Sequence, residues 1–441
     1  MKKASLHLVA FACLLFGFNI SAHAVPSIQT AQLDNGLKIL LIEAHNVPMV
    51  SMQLTLPAGS RFDPEGKAGT ASMLATILGD HTAKHDDKAW AQWLDSEALR
   101  LGASASRDSL SLSLTVVKES LAVGLDALSE MLLQPGWYKK RFLSLREDSI
   151  AAAIKSQETP GTLAAQATSK LLYGMHGYGH TPSGTAKSLP HIKLNDLKSL
   201  YINQIRPIGS VLAVSGDITM QELLPLLKSR LKTWQGKPKI AALDVNKPPV
   251  VTGKRLHVTT PTSQALVQFS RLGIARSNDD FFPLFVMNHL LGGGGFGSKL
   301  MEEVREKRGL VYGVYSYFIP LAAPGPFIIT LQTRAEQAKQ ATQVVRDVMQ
   351  SLADGKIDAQ QLNATKSNLI GGFAQRMDSN RERVGLLSMI GFYQMPLTYL
   401  QHWAAHVQSV TLADVQRMSK AYLQISDWNI IQVGPAQKSS Q

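Results

Sequence analysis

Two stretches of this chain repeat each other without a gap. "LNDLKSLYINQIRPIGSVLAVSG" runs from 194 to 216 and "LADVQRMSKAYLQISDWNIIQVG" from 412 to 434. Leu194 falls on Leu412, Asp196 on Asp414, Leu197 on Val415, Leu200 on Met418 and Gly216 on Gly434. Each stretch reads as a capped amphipathic helix running into an apolar strand that ends at glycine. One such unit cannot bury its apolar faces alone, so its recurrence calls for two similar layered structures in one chain. The 441 residues are also too many for one ordinary domain. The expected fold class is α+β: two homologous α/β sandwich halves of about 200 residues. Each would be a mixed, largely antiparallel sheet backed by helices, and the two would face one another across a cleft.

The start of the first half carries further local signals. Asp34-Asn35-Gly36 predicts a hairpin turn, because such turns need the positive φ that Asn and Gly tolerate. A strand is predicted at 50–56. Helical periodicity follows from 67 to 157, interrupted by "SASRDSLSLSLTVV", whose alternation marks another strand. The Pro- and Lys-rich "GKPKIAALDVNKPPVVTGK" reads as a linker. The boundaries are then a leader over 1–24, a first half over 25–235, a linker over 236–254 and a second half over 255–441.

The leader has Lys2 and Lys3, an apolar run through Leu8, Val9, Phe11, Leu14, Leu15 and Phe16, and a small-x-small end at Ala22-His23-Ala24. That is the pattern of a secretory signal peptide, not a membrane span. The expectation is an exported chain without stable membrane insertion, periplasmic in a Gram-negative source. The only cysteine, Cys13, lies in this leader, so the mature chain could form no disulfide. A formal charge of +12 favours acidic partners or surfaces. The basic residues are nevertheless scattered, and export argues against nucleic acid as a partner.

Four motifs, "LDNGLKILL", "GSRFDPEGKAG", "YGMHGYGHTPSGT" and above all "LLGGGGFGSKLMEEVREKRGLVYGVYS", resemble the insulinase/pitrilysin family of zinc metallopeptidases, and do so in the family's order along the mature chain. The resemblance implies two homologous domains forming a half-clam, in agreement with the repeat. It also implies a helix with His-x-x-Glu-His, in which two imidazoles hold zinc and the Glu is a general base. Aligned on "GKAG", those three positions are Ser72, Ala75 and Thr76, none of which can do that work. The family's distal Glu ligand would fall near Ala153 or Ile154, with Glu147 and Glu158 the nearest carboxylates. This chain is therefore expected to carry no catalytic residue, no metal and no cofactor of its own.

Three histidine pairs have His-x-x-x-His spacing: His81/His85, His176/His180 and His402/His406. At the place of the Glu they have Lys84, Gly179 and Ala405. Solvated or structural roles are the simpler reading for each, with His81/His85 the only seed for a relocated metal site. Gly292, Gly294 and Gly297 satisfy a dinucleotide-type glycine pattern, but the segment before them has helical character and Ser298 rules out a Walker loop. The glycines read as a flexible junction between helices.

Within "VREKRGLVY", Arg305 and Tyr312 resemble the Arg and Tyr with which family members hold the substrate backbone and the developing oxyanion. Read alone, the segment is a solvated helix end followed by a strand tyrosine. With the resemblance, the leading expectation is a non-catalytic subunit of an exported heterodimeric zinc peptidase. It would supply Arg305 and Tyr312 as substrate-binding residues, while a paralogous partner bears the zinc and the substrates are small peptides. A purely structural scaffold and a standalone peptidase with a relocated metal are the rivals.

Overall fold

In a computed structural model residues 26–436 are described; the leader and Cys13 lie outside the described residues. The first half builds a six-stranded sheet from β1 (Gln29–Gln32), β2 (Lys38–Glu43), β3 (Met49–Leu56), β4 (Arg100–Ala105), β5 (Leu110–Val117) and β6 (Val211–Gly216), in the order β1-β2-β6-β3-β5-β4. The second half builds a five-stranded sheet from β7 (Arg255–Thr259), β8 (Gln264–Leu272), β9 (Val314–Phe318), β10 (Pro326–Arg334) and β11 (Asn429–Gly434), in the order β7-β11-β8-β10-β9. In each sheet one pair is parallel, β2 with β6 and β7 with β11, and the rest are antiparallel. Apart from β1, the two orders are the same pattern traced twice.

The repeat lies at the centre of that pattern. Helices Leu194–Gln204 and Leu412–Tyr422 begin and end at matching positions, as do β6 and β11. Asp414 closes a capping box with Thr411, and Asp196 accepts the Lys193 N–H at the start of the other helix, satisfying backbone N–H groups that a helix start otherwise leaves bare. At the predicted hairpin Gly36 takes a φ of 89°. There Asn35 accepts from the Leu37 N–H and donates to the Leu231 and Trp234 carbonyls. The predicted strand in "SASRDSLSLSLTVV" is β5, and β4 precedes it as its hairpin partner.

Each sheet is apolar on both faces, and alternation assigns the faces. Ile39, Leu41, Leu212 and Val214 join the core under the first half's own helices, whereas Leu40, Ile42, Val211 and Ala213 join the core of the second half. Helix Asn380–Phe392 brings this about by lying across β2, β3 and β6. Gly391 permits the approach, because a Cβ there would stand 2.5 Å from Val211 and 2.8 Å from Leu40. In return helix Pro160–Tyr173 lies on β8 and β11, where Ala164 meets Ile431 and Val433. Each half thus lends one helix to the other's sheet.

A buried carboxylate joins the halves. Asp108, 1% exposed, accepts from the hydroxyls of Tyr178 and Tyr393 and from the Ala322 N–H, with Arg61 Nε at 3.8 Å. Burial, first, and the adjacent carboxylate push both phenols above the usual tyrosine range, so they stay protonated donors. Arg61 also donates to the carbonyls of Ala241, Ala242 and Asp244 at 2.7–3.1 Å. The linker therefore lies pinned against the first half. No helix among the described residues is long and apolar enough to cross a membrane.

Candidate functional site

Helix Thr70–Asp80 carries Ser72, Ala75 and Thr76, the positions that the resemblance assigns to the metal-binding motif. Its entry is fixed by Asp63, whose carboxylate accepts the Gly69 and Ala71 N–H groups at 2.7 and 2.8 Å. Burial pushes the Asp63 carboxyl up to about 7, against the opposing pull of those donors. His180 lies 3.9 Å away, and burial lowers its own pKa. Ala71, Met73, Leu74, Ile77 and Leu78 face the core. Ser72 donates to the Pro182 carbonyl at 2.7 Å and Thr76 to the Ser72 carbonyl at 3.0 Å, while Ala75 is buried. Both hydroxyls are thus tied to backbone, and no base stands between them.

The neighbouring helix Lys139–Ser156 packs against this one, Ser149 donating to the Met73 sulfur at 3.2 Å. It carries Ala153 and an exposed Ile154, and Glu147 pairs with Arg146 instead of turning inward. Nor do the histidines converge. His81 is buried, with Nδ1 on Asp80 at 2.8 Å and Nε2 on the Gly136 carbonyl at 2.6 Å. His85 bonds Glu130 at 2.7 Å and stacks on Trp93. His176 is bound to the Asn246 carbonyl, and His406 stacks on Phe282. Among the described residues no three of His, Cys, Asp and Glu are placed to hold a metal ion. The donor set at Ser72, Ala75 and Thr76 does not fit zinc.

The second half presents a different kind of surface. After helix Phe281–Asn288 the chain widens into a π-helical turn, His289–Gly293. Gly292 serves packing, since a Cβ there would stand 2.7 Å from the Ser316 backbone nitrogen, whereas Gly295 and Gly297 face open space. A second π-helical segment, Met301–Glu306, buries Met301 and Val304 and turns Arg305 outward. The Arg305 guanidinium lies between two rings, 4.7 Å from the centre of Phe296 and 4.9 Å from that of Tyr312. Phe296 is 65% and Tyr312 86% exposed.

Neighbouring cations are neutralised: Lys307 pairs with Glu302 and Glu303, and Arg308 with Glu303. Arg305 has no ion pair and no side-chain hydrogen bond among the described residues. A cavity of about 620 Å³ opens beside Tyr312, bordered by Gln264, Tyr315, Thr330 and Gln332. Sequence reasoning placed Arg305 and Tyr312 but missed Phe296, whose signal was an exposed aromatic within a glycine run. The arrangement offers a charged fork and a phenol as free donors; it contains no nucleophile and no base.

Comparison with known proteins matches most of the chain to models of one family. Residues 38–168 match the family model "Insulinase (Peptidase family M16)" and residues 191–369 match "Peptidase M16 inactive domain". A solved structure described as a peptidase M16 inactive domain from Pseudomonas fluorescens superposes with a TM-score of 0.88 at 31% identity, over 94% of this chain and 99% of that one. A Helicobacter pylori protein named "Non-peptidase homolog YmxG" is 26% identical over 94% of this chain and 95% of its own length. A Bacillus subtilis protein named "Uncharacterized zinc protease YmxG" is 24% identical over 80% of this chain and 85% of its own. The chain belongs to the M16 insulinase family, in which it is an inactive homologue, a non-peptidase.

Proposed function

We propose that this chain is the non-catalytic subunit of an exported heterodimeric M16 peptidase, in which it grips the substrate backbone with Arg305 and Tyr312. The supporting observation is the unpaired Arg305. In a helix end where every other cation has a carboxylate, this guanidinium is held only by ring faces. Ring contact fixes its orientation and leaves its N–H fork free for a carbonyl or a developing oxyanion. Tyr312 adds one hydroxyl donor to the same surface.

A zinc-bearing paralogue would supply the Lewis acid and the general base. Donors fixed before the reaction need no reorganisation when the carbonyl becomes tetrahedral, which is why such groups matter in the transition state. The test begins with co-purification of the chain and its zinc-bearing paralogue from the native host. Arg305→Ala and Tyr312→Phe in the assembled complex should then lower peptide turnover about 10²- to 10³-fold for a lost oxyanion donor. Arg308→Ala, whose partner is Glu303 on the chain itself, should change little. If Arg305→Ala and Arg308→Ala leave an intact complex turning over alike, a scaffold role replaces this reading.

A further inference from the structure

Strand β10 outruns its neighbour at the edge of the second sheet. It pairs with β8 along its whole length, Pro326–Arg334 on Leu272–Gln264, but with β9 only from Phe327 to Leu331. Gln332, Thr333 and Arg334 therefore have a strand on one side only. In an antiparallel ladder successive residues turn their N–H and C=O groups to opposite neighbours. Three bonds fix the phase. Gly273 donates to the Gly325 carbonyl and Ala335 to that of Ser263, on the β8 side, whereas Ile319 donates to the Pro326 carbonyl on the β9 side. Odd-numbered residues of β10 thus face β8 and even-numbered ones face β9. Gln332 and Arg334 aim their N–H groups, and Gln332 its carbonyl, at the side where β9 has ended.

The chain that enters β9 does not cover this edge. Val311, Tyr312 and Gly313 make no hydrogen bond among the described residues. Leu310 is held from the core face, where the buried Thr333 hydroxyl donates to its carbonyl at 2.6 Å. Between residues 309–313 and the end of β10 lies the cavity of about 620 Å³, walled also by Gln264, Leu266, Thr330 and Tyr315. Arg334 is the single charged residue in its lining. The first half differs at the matching place. There the chain entering β4 is closed onto helix Asp87–Ser96, with Glu97, Ala98 and Leu99 donating to the carbonyls of Trp93, Asp95 and Leu94.

An open sheet edge is a template for another strand, and proteins keep such edges short or covered. This one is short, opens into a cavity and lies beside Tyr312. We propose that it is a strand-addition site, in which an extended peptide segment runs in line with β9 and pairs its backbone with Gln332 and Arg334. The occupant is an extended peptide because the unmet groups are main-chain donors and an acceptor at strand spacing. Affinity would come from the main chain, and uncharged side chains would suit the amide, hydroxyl and phenol walls. The proposal rests on the reading of Arg305 and Tyr312 as a backbone clamp, to which it adds a path for the substrate chain beyond Tyr312. Its test needs no partner subunit.

The probe is a fluorescein-labelled, end-capped hexapeptide of alternating threonine and valine, titrated against the full chain and followed by anisotropy. N-methylation of alternate residues spares one backbone edge and should preserve binding. N-methylation of two adjacent central residues blocks both edges and should weaken it about tenfold or more. On the protein, Arg334→Pro deletes one N–H of the edge without straining the backbone, since Arg334 already has a φ of −62°. This variant should bind the probe about two- to tenfold less tightly than Arg334→Ala, which loses the same side chain but keeps the N–H.

Equal binding of the parent and the doubly blocked peptide overturns the proposal, as does equal affinity of Arg334→Pro and Arg334→Ala, or failure of the parent to bind at millimolar concentration. A dimer of this chain that Arg334→Pro dissociates would give the edge to a second copy, and overturns it too. If the probe binds as expected while Arg305→Ala leaves turnover of the complex unchanged, the clamp reading fails and the strand-addition site stands.

Discussion

Helix Thr70–Asp80 and segment Met301–Tyr312 both lie in the connection between the third and the edge strand of their repeat, β3 to β4 and β8 to β9. They treat their polar groups in opposite ways. In the first, Ser72 and Thr76 are closed onto backbone carbonyls. In the second, Arg305 and Tyr312 are left in solvent against ring faces, with no polar partner among the described residues. The difference shows that packing and chemistry occupy separable faces of one scaffold. Met73, Leu74, Ile77 and Leu78 hold the first helix in place whatever stands at 72 and 76, whereas Ala75 is itself part of the core.

The comparison breaks most directly at the joint that makes the two regions one molecule. Asp108→Ala removes the carboxylate that accepts from Tyr178 and Tyr393 and stands beside Arg61 in a buried site. Removing one partner of a buried pair costs about 3–5 kcal/mol. Denaturant unfolding should show that loss in a single transition. A loss below about 1 kcal/mol, the range of an exposed pair, would mean that the halves do not rely on this joint.

A pH series sharpens the comparison at the first helix, which has a buried carboxyl at its entry where the second segment has none. Asp63 ionises near 3.8 in an unfolded chain and at about 7 in the folded one. The folded state holds the proton more tightly, so the stability this group contributes is complete below the unfolded value and lost as pH rises through the folded one. Between pH 4 and 8 the melting temperature of the protein should therefore fall relative to that of Asp63→Asn, which has no such proton to lose. A constant difference across that range would count against a protonated Asp63 cap.

The smallest effect is expected at the degenerate position itself. Ser72→Ala gives up one hydrogen bond, to Pro182, for a loss of about 0.5–1.5 kcal/mol. Turnover of an assembled complex should not change, in contrast to Arg305→Ala. A fall in turnover on Ser72→Ala with unaltered stability would show that the first helix still does chemistry.

Much of this architecture is written in local sequence. The caps at Asp196 and Asp414, the Gly216 and Gly434 strand ends and the Asn35-Gly36 turn act over a few residues, so periodicity and cap chemistry reveal them directly. The blank metal site is equally legible, since three residue types at fixed spacing are either present or not. Strand β4 was missed because "RLGASA" is a half-buried edge with small side chains and no clear alternation. The sequence also predicts two sheets facing across a cleft, whereas each half lends a helix to cover the other's sheet.

By itself, then, the sequence determined that the chain folds as two like halves, that its first helix has Ser72, Ala75 and Thr76 where the resemblance calls for His-x-x-Glu-His, and that Arg305 and Tyr312 stand in a family-like segment. Tertiary structure alone decided that Phe296 forms the second face around Arg305 and that Asp108 gathers donors from both halves. The reason is physical. Helix periods and caps are set by neighbours three or four residues away, whereas a buried carboxylate gathers groups hundreds of residues apart, whose meeting depends on the packing of whole layers.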